Sequence, residues 1–141
     1  METLFKVAST AVVPFWLLMI LAPRWTVTQR VMNSRWPVVV FAVLYAILVL
    51  PRLPVVLPVV LKPELPAVRA LLGSADGATI GWVHYLAFDL FVGRWVYLDS
   101  RTRGLNSWLM APILFLTLML GPCGFLVYCG VRLAKRPGAP A

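Results

Sequence analysis

Long uninterrupted apolar runs constrain this chain more than any other feature. Residues 4–22, LFKVASTAVVPFWLLMILA, hold one charge, Lys6, in nineteen positions. Nineteen helical residues reach about 29 Å, close to the ~30 Å of a bilayer's hydrocarbon core. Further runs follow, and 61% of the 141 residues are hydrophobic while 13% are charged. Ordinary soluble domains carry about 45–50% and 25%. One small soluble core could not hide that apolar surface, and so apolar a chain does not stay disordered. The expected class is an all-α membrane protein.

Four spans are expected, forming one compact bundle over residues 1–134 with a short flexible tail at 135–141. The first, 4–22, contains Pro14 and is expected to kink there. A cleaved leader is the rival reading, but its basic region would be Lys6 alone, offset by Glu2, so the segment is read as retained. The second begins at Pro37, well suited to a helix's first turn. Residues 37–50 alone make a helix of about 21 Å. Pro51, Pro54 and Pro58 then leave two alternatives, a kinked continuation or an extended interfacial end. Within the polar connection 62–79, residues 66–72 suit a short interfacial helix stopped by Gly73. The third span covers about 80–98. The fourth starts after Asn106 and Ser107, which suit an N-cap, and is expected to kink at Gly121-Pro122-Cys123-Gly124.

Thirteen Lys and Arg against five Asp and Glu give a net charge of +8. The bases lie mainly between and beyond the apolar runs, as anchors to anionic headgroups would, so nucleic acid is not an expected partner. Four crossings put both termini on one side. Seven bases then fall on that side, with the second loop, against five in loops one and three, favouring N-in and C-in. Cys123 and Cys129, six apart in one span, suit neither a disulfide nor a metal knuckle and read as small apolar fillers. His84 is the single histidine, which excludes histidine-rich di-iron centres and imidazole-built zinc sites. Neither a metal nor another cofactor is expected.

Charges at membrane depth cost about 2.5–3.5 kcal/mol each on insertion, so those that persist usually act. The third span, WVHYLAFDLFVGRWVYLD, sets His84, Asp89, Arg94 and Asp99 five residues apart. Five residues turn a helix by about 140°, so these groups cannot form one stripe. Trp82, Tyr85 and Asp89 share a face, and His84, Phe88, Phe91 and Trp95 share the adjacent one. Asp89 and His84 meet one cavity only if this helix is central. Arg94 points away from both and could reach a neighbouring helix. In one reading Asp89 and Arg94 merely lock a bundle, although such contacts average about 0.6 kcal/mol. In the other, Asp89 is a desolvated carboxyl that gives or takes a proton, with His84 as its relay to water. The aromatic residues fit interfacial belts. A helix broken around Pro122 either presents backbone groups to a polar ligand or lets two helices approach.

Four stretches resemble the neoxanthin-synthase-like family, plant plastid-envelope proteins whose loss causes abscisic-acid deficiency, together with bacterial relatives. They are VVPFWLLMILAP at 12–23, LYAIL around Tyr45, WVHYLAFDLFVGR and the Gly121–Gly124 break. The resemblance covers nearly the whole chain. It implies a four-span helical protein and matches Trp82, His84, Asp89, Arg94 and Asp99 to the family's motif. In plants it links the family to conversion of an epoxy-carotenoid into allenic neoxanthin. With its first span near Met1, this chain is expected to be a bacterial-type, inner-membrane member, so only the class of ligand transfers: a carotenoid or other polyisoprenoid lipid. Opening an epoxide to an allene is redox-neutral and needs one acid and one base.

The leading expectation is therefore a membrane protein that binds and isomerises such a lipid. Asp89 and His84 are its catalytic residues; Arg94, Tyr85, Trp82, Asp99 and Pro122 contact the substrate. A homo-oligomer is compatible with it. The rivals are a non-enzymatic subunit that stabilises a membrane complex, and a proton-coupled carrier titrating at Asp89.

Overall fold

The computed structural model describes residues 1–134, all of whose regular structure is helical. The expected tail, 135–141, lies outside the described residues. Helix α1 runs Glu2–Leu21, α2 Thr26–Asn33 and α3 Trp36–Val49. A 3-10 turn, Leu50–Arg52, leads into α4, Leu53–Leu61, followed by α5, Leu65–Gly73. Two long helices complete the described chain: α6, Ala75–Thr102, and α7, Ser107–Ala134.

Local chemistry accounts for these boundaries. Pro51 and Pro54 lack an N–H, so the α pattern gives way to one 3-10 turn and then resumes. The second span thus continues as helix from Trp36 to Leu61, 26 residues in all. Residues 65–73 form the short helix expected near Gly73. Ser74 Oγ accepts the Gly77 N–H at 3.0 Å and caps α6. At the other end Gly104 adopts φ 62°, the left-handed conformation that lets Leu105 N–H reach Ser100 O at 2.9 Å. Asn106 Oδ1 then accepts from Trp108 N–H at 2.9 Å, the expected cap of α7. α1 carries Pro14 within a single helix.

Cross-helix contacts fix the directions. Phe5 meets the Trp82 ring, the Trp16 ring lies on Gly93, and Tyr97 Oη donates to Pro23 O at 2.7 Å, so α1 runs parallel to α6. α3 runs antiparallel, because Arg94 reaches Ser34 O, Tyr45 meets His84, and Arg52 pairs with Asp76. Gly93 matters here: a Cβ there would overlap the buried Trp16 indole. Thr28, fully buried in α2, donates to Ala22 O at 2.7 Å, satisfying a carbonyl just past α1.

The fourth apolar stretch does not run as one straight rod. Leu120 has φ −138° and ψ 50°, outside the helical range. A Cβ on Gly124 would overlap the main-chain nitrogen and Cα of Thr117. In a straight helix residues seven apart are separated by about 10 Å. Tyr128 Oη also donates to Asp99 Oδ2 at 2.5 Å. A straight α7 would instead carry residue 128 about 30 Å from its start beside Asp99. The chain therefore turns at Leu120, with 107–119 running back along α6 and 121–134 returning beside it. Pro122 cannot donate into the preceding turn, and Gly121 and Gly124 have no side chain to hold the arms apart. Each arm is about 20 Å long, short of a ~30 Å hydrocarbon core. Three helical stretches among the described residues, Glu2–Leu21, Trp36–Leu61 and Ser107–Ala134, are long and apolar enough to cross a membrane. The turn folds the last of them into a helical hairpin.

Candidate functional site

α6 is flanked by α1, α3 and α7, and its ionisable residues face different neighbours. His84 looks toward α3, with its ring 5.2 Å from that of Tyr45 and 4.7 Å from that of Phe88. Asp89, turned by about 140° from His84, faces α7. There its carboxylate lies against Gly121, close enough that a Cβ on Gly121 would overlap Oδ1. The spacing of five thus separates the two groups that the sequence paired as acid and relay. It joins Asp89 instead to the Gly121-Pro122 break, more than thirty positions away in the chain.

The turn exposes backbone as well as ending a helix. Around Leu120 the regular i to i−4 pattern lapses, and Pro122 contributes no N–H. Polar main-chain groups therefore lie beside a carboxylate within an apolar helix pair. Among the described residues Asp89 forms no hydrogen bond or ion pair with another side chain. Because α7 turns back at this level, it leaves the N-terminal half of α6 uncovered on that side. Tyr85 and Phe88 are each 58% exposed there. They form an open aromatic strip leading to Asp89, with His84 along one edge and Trp82 toward α1, where its Nε1 donates to Ser9 Oγ at 2.8 Å. Pro122 is exposed at the turn.

Arg94 and Asp99 have other occupations. Arg94 donates to Ser34 O at 3.0 Å and to Asn33 O at 3.2 Å. A cation thereby closes the carboxyl end of α2, where the helix dipole favours it. Asp99 accepts from Arg103 Nε at 2.8 Å and from Tyr128 Oη, and pairs with Arg132 Nε at 3.1 Å. The Arg132 guanidinium also lies 5.3 Å from the Trp95 ring, which meets Tyr128 edge-on. This cluster fastens the returning arm of α7 to α6. Tyr45, Tyr128 and Arg132 were not legible as partners, because each contact depends on helix direction. The GxxG at Gly121 and Gly124 was the available signal for close helix approach.

Residues 3–128 match the profile of the ABA DEFICIENT 4-like family, a stretch that takes in Asp89, the Gly121-Pro122 turn and Tyr128. The chain belongs to the ABA DEFICIENT 4-like family. It is similar to Protein ABA DEFICIENT 4, chloroplastic, of Arabidopsis thaliana, with 34% identity over 112 residues. That alignment covers 75% of this chain and 51% of the relative, so the chain spans about half the relative's length. No solved structure matches it. Among the described residues of this ABA DEFICIENT 4-like chain, no three His, Cys, Asp or Glu side chains cluster as metal ligands would. What the arrangement offers is one carboxyl group beside broken helical backbone, reached along an aromatic strip.

Proposed function

We propose that this ABA DEFICIENT 4-like protein is a multi-pass membrane protein that binds a carotenoid or other polyisoprenoid lipid and isomerises it by acid/base chemistry at Asp89. In this reading α1 and the α3–α4 path cross the bilayer, and α7 enters it and returns. Helix α6 crosses between them, although the expected third span is not among the three stretches apolar enough to do so by composition. A bacterial inner membrane is the proposed location. The observation that carries the reading is the position of Asp89 at the Gly121-Pro122 turn, at the head of the Tyr85–Phe88 strip. An extended polyene would lie along those rings, open to lipid on one side, and bring its polar end group to the carboxyl.

For an epoxy end group the balance closes without a redox partner. A base takes the proton from the chain carbon beside the ring, and the electrons of that bond form the second double bond of an allene. The ring C–O bond opens and its oxygen ends as a hydroxyl after gaining a proton. Asp89 handles one of these protons, and His84, across the strip on the α3 side and acting apart from Asp89, handles the other. Trp82, Tyr85 and Pro122 line the ligand's path. Arg94 and Asp99 serve the site by holding α2 and the α7 hairpin against α6.

The test is expression in a carotenoid-making host, with extracted pigments compared between wild type and Asp89→Asn. Wild type should yield a new or converted pigment, and Asp89→Asn at equal protein level should lose it. Unchanged pigments in both, with loss of a co-purifying membrane partner in Asp89→Asn, would favour instead an assembly subunit. That second reading draws on Arg94, which bonds the end of α2, and on Asp99, which bonds Tyr128 of α7 as well as Arg103 at the end of its own helix.

A further inference from the structure

The fold sorts the chain's charges in a way the sequence order hides. Because α1 is parallel to α6 and α7 folds back, three segments meet at one end: the α1–α3 connection, the α6–α7 loop and the end of α7. Contacts of Tyr97 with Pro23, Arg94 with Ser34, and Asp99 with Arg132 hold them together. Among the described residues, seven arginines stand at this end against one acid, Asp99. Asp99 is already occupied by Arg103 and Arg132. Arg24, Arg30 and Arg35 are exposed and, among the described residues, form no ion pair.

The opposite end is close to balanced. Of its four bases, Lys6 pairs with Glu2, Arg52 with Asp76, and Lys62 with Glu64, leaving Arg69. Exposed tryptophan leans the same way, with three of four at the arginine-rich end and Trp82, 41% exposed, beside Phe5 toward the other. Trp25, Trp36 and Trp108 are 55%, 49% and 86% exposed, and all three stand at the arginine-rich end. Exposed indoles interleaved with unpaired guanidinium groups suit the headgroup layer, where the ring rests at the apolar boundary and the cation meets phosphate. Helix α2 adds an amphipathic face there, with Thr28 and Met32 buried and Arg30 outward.

We infer that this end is a docking face for anionic lipid headgroups, and that it faces the side on which positively charged loops are retained, with the N-terminus opposite. The orientation differs from the N-in, C-in expectation because the hairpin in α7 brings the end of that helix back to the side of loops one and three.

The test reconstitutes the full chain in vesicles of mixed phosphatidylglycerol and phosphatidylcholine, and measures the lipid retained after mild-detergent extraction. Wild type should retain phosphatidylglycerol several-fold over its share of the mixture. Arg24→Gln, Arg30→Gln and Arg35→Gln together should bring retention to parity. Lys6→Gln, Lys62→Gln and Arg69→Gln together remove the same charge from the other end and should leave the enrichment intact. Circular dichroism of both triple variants checks that each is folded. Parity in wild type, equal loss in both triple variants, or loss only in the second would overturn the inference.

Discussion

Three glycines in this protein carry their meaning in what a methyl group would strike. At Gly93 the obstacle is the buried Trp16 indole, at Gly124 the main chain of Thr117, and at Gly121 the tip of Asp89. Only the last can move cheaply. Gly93→Ala should therefore destabilise the fold by about 1–3 kcal/mol, as overpacking does. Gly121→Ala should leave the melting temperature near that of wild type but displace the carboxylate, mimicking Asp89→Asn in a pigment-conversion assay. A folded Gly121→Ala protein with full conversion would argue that the position of Asp89 at the turn is incidental. Residue identity was the most legible level of this site. The sequence marks Asp89 as out of place in an apolar helix, but it could not say what Asp89 touches, because Gly121 comes to it through a turn.

At the level of elements, α7 is the decisive feature. Its composition reads as a span, and its length of 28 residues would suffice for one. The sequence did mark the break, yet a kink and a reversal carry the same Gly-Pro signature. The close approach of Gly124 to Thr117 and the bond from Tyr128 to Asp99 distinguish them. Helix direction is a tertiary property, and for the same reason the partners of Asp99 were out of reach of spacing arguments. The expected consequence is topological. In a background lacking Cys123 and Cys129, Ser107→Cys and Ala134→Cys should react with an impermeant maleimide from the same side of the membrane, and Thr3→Cys from the opposite side. Labelling of 107 and 134 from opposite sides would restore a straight fourth span. Tyr128→Phe, which removes the hydroxyl bonded to Asp99, should cost about 1–2 kcal/mol and loosen the returning arm.

Over the whole molecule, the long apolar runs mark an all-helical chain with spans of membrane length, and local chemistry marks the short α5 and the cap of α7. The sequence leaves the course of 51–61 open and gives no sign of the Ser74 cap of α6. The packing order did not follow. It sets His84 toward α3, Asp89 toward α7, and seven arginines at one end, and from it come both the uncovered strip on α6 and the uneven charge. On the proposed function, the strip and Asp89 together hold a polyisoprenoid lipid. Mass spectrometry of the lipid that co-purifies from a carotenoid-making host tests this most directly, using wild type, Asp89→Asn and a Tyr85→Ala, Phe88→Ala double variant. A polyisoprenoid should be retained by wild type and by Asp89→Asn, and lost from the double variant. Bulk phospholipid alone, in equal amount from all three proteins, would contradict it.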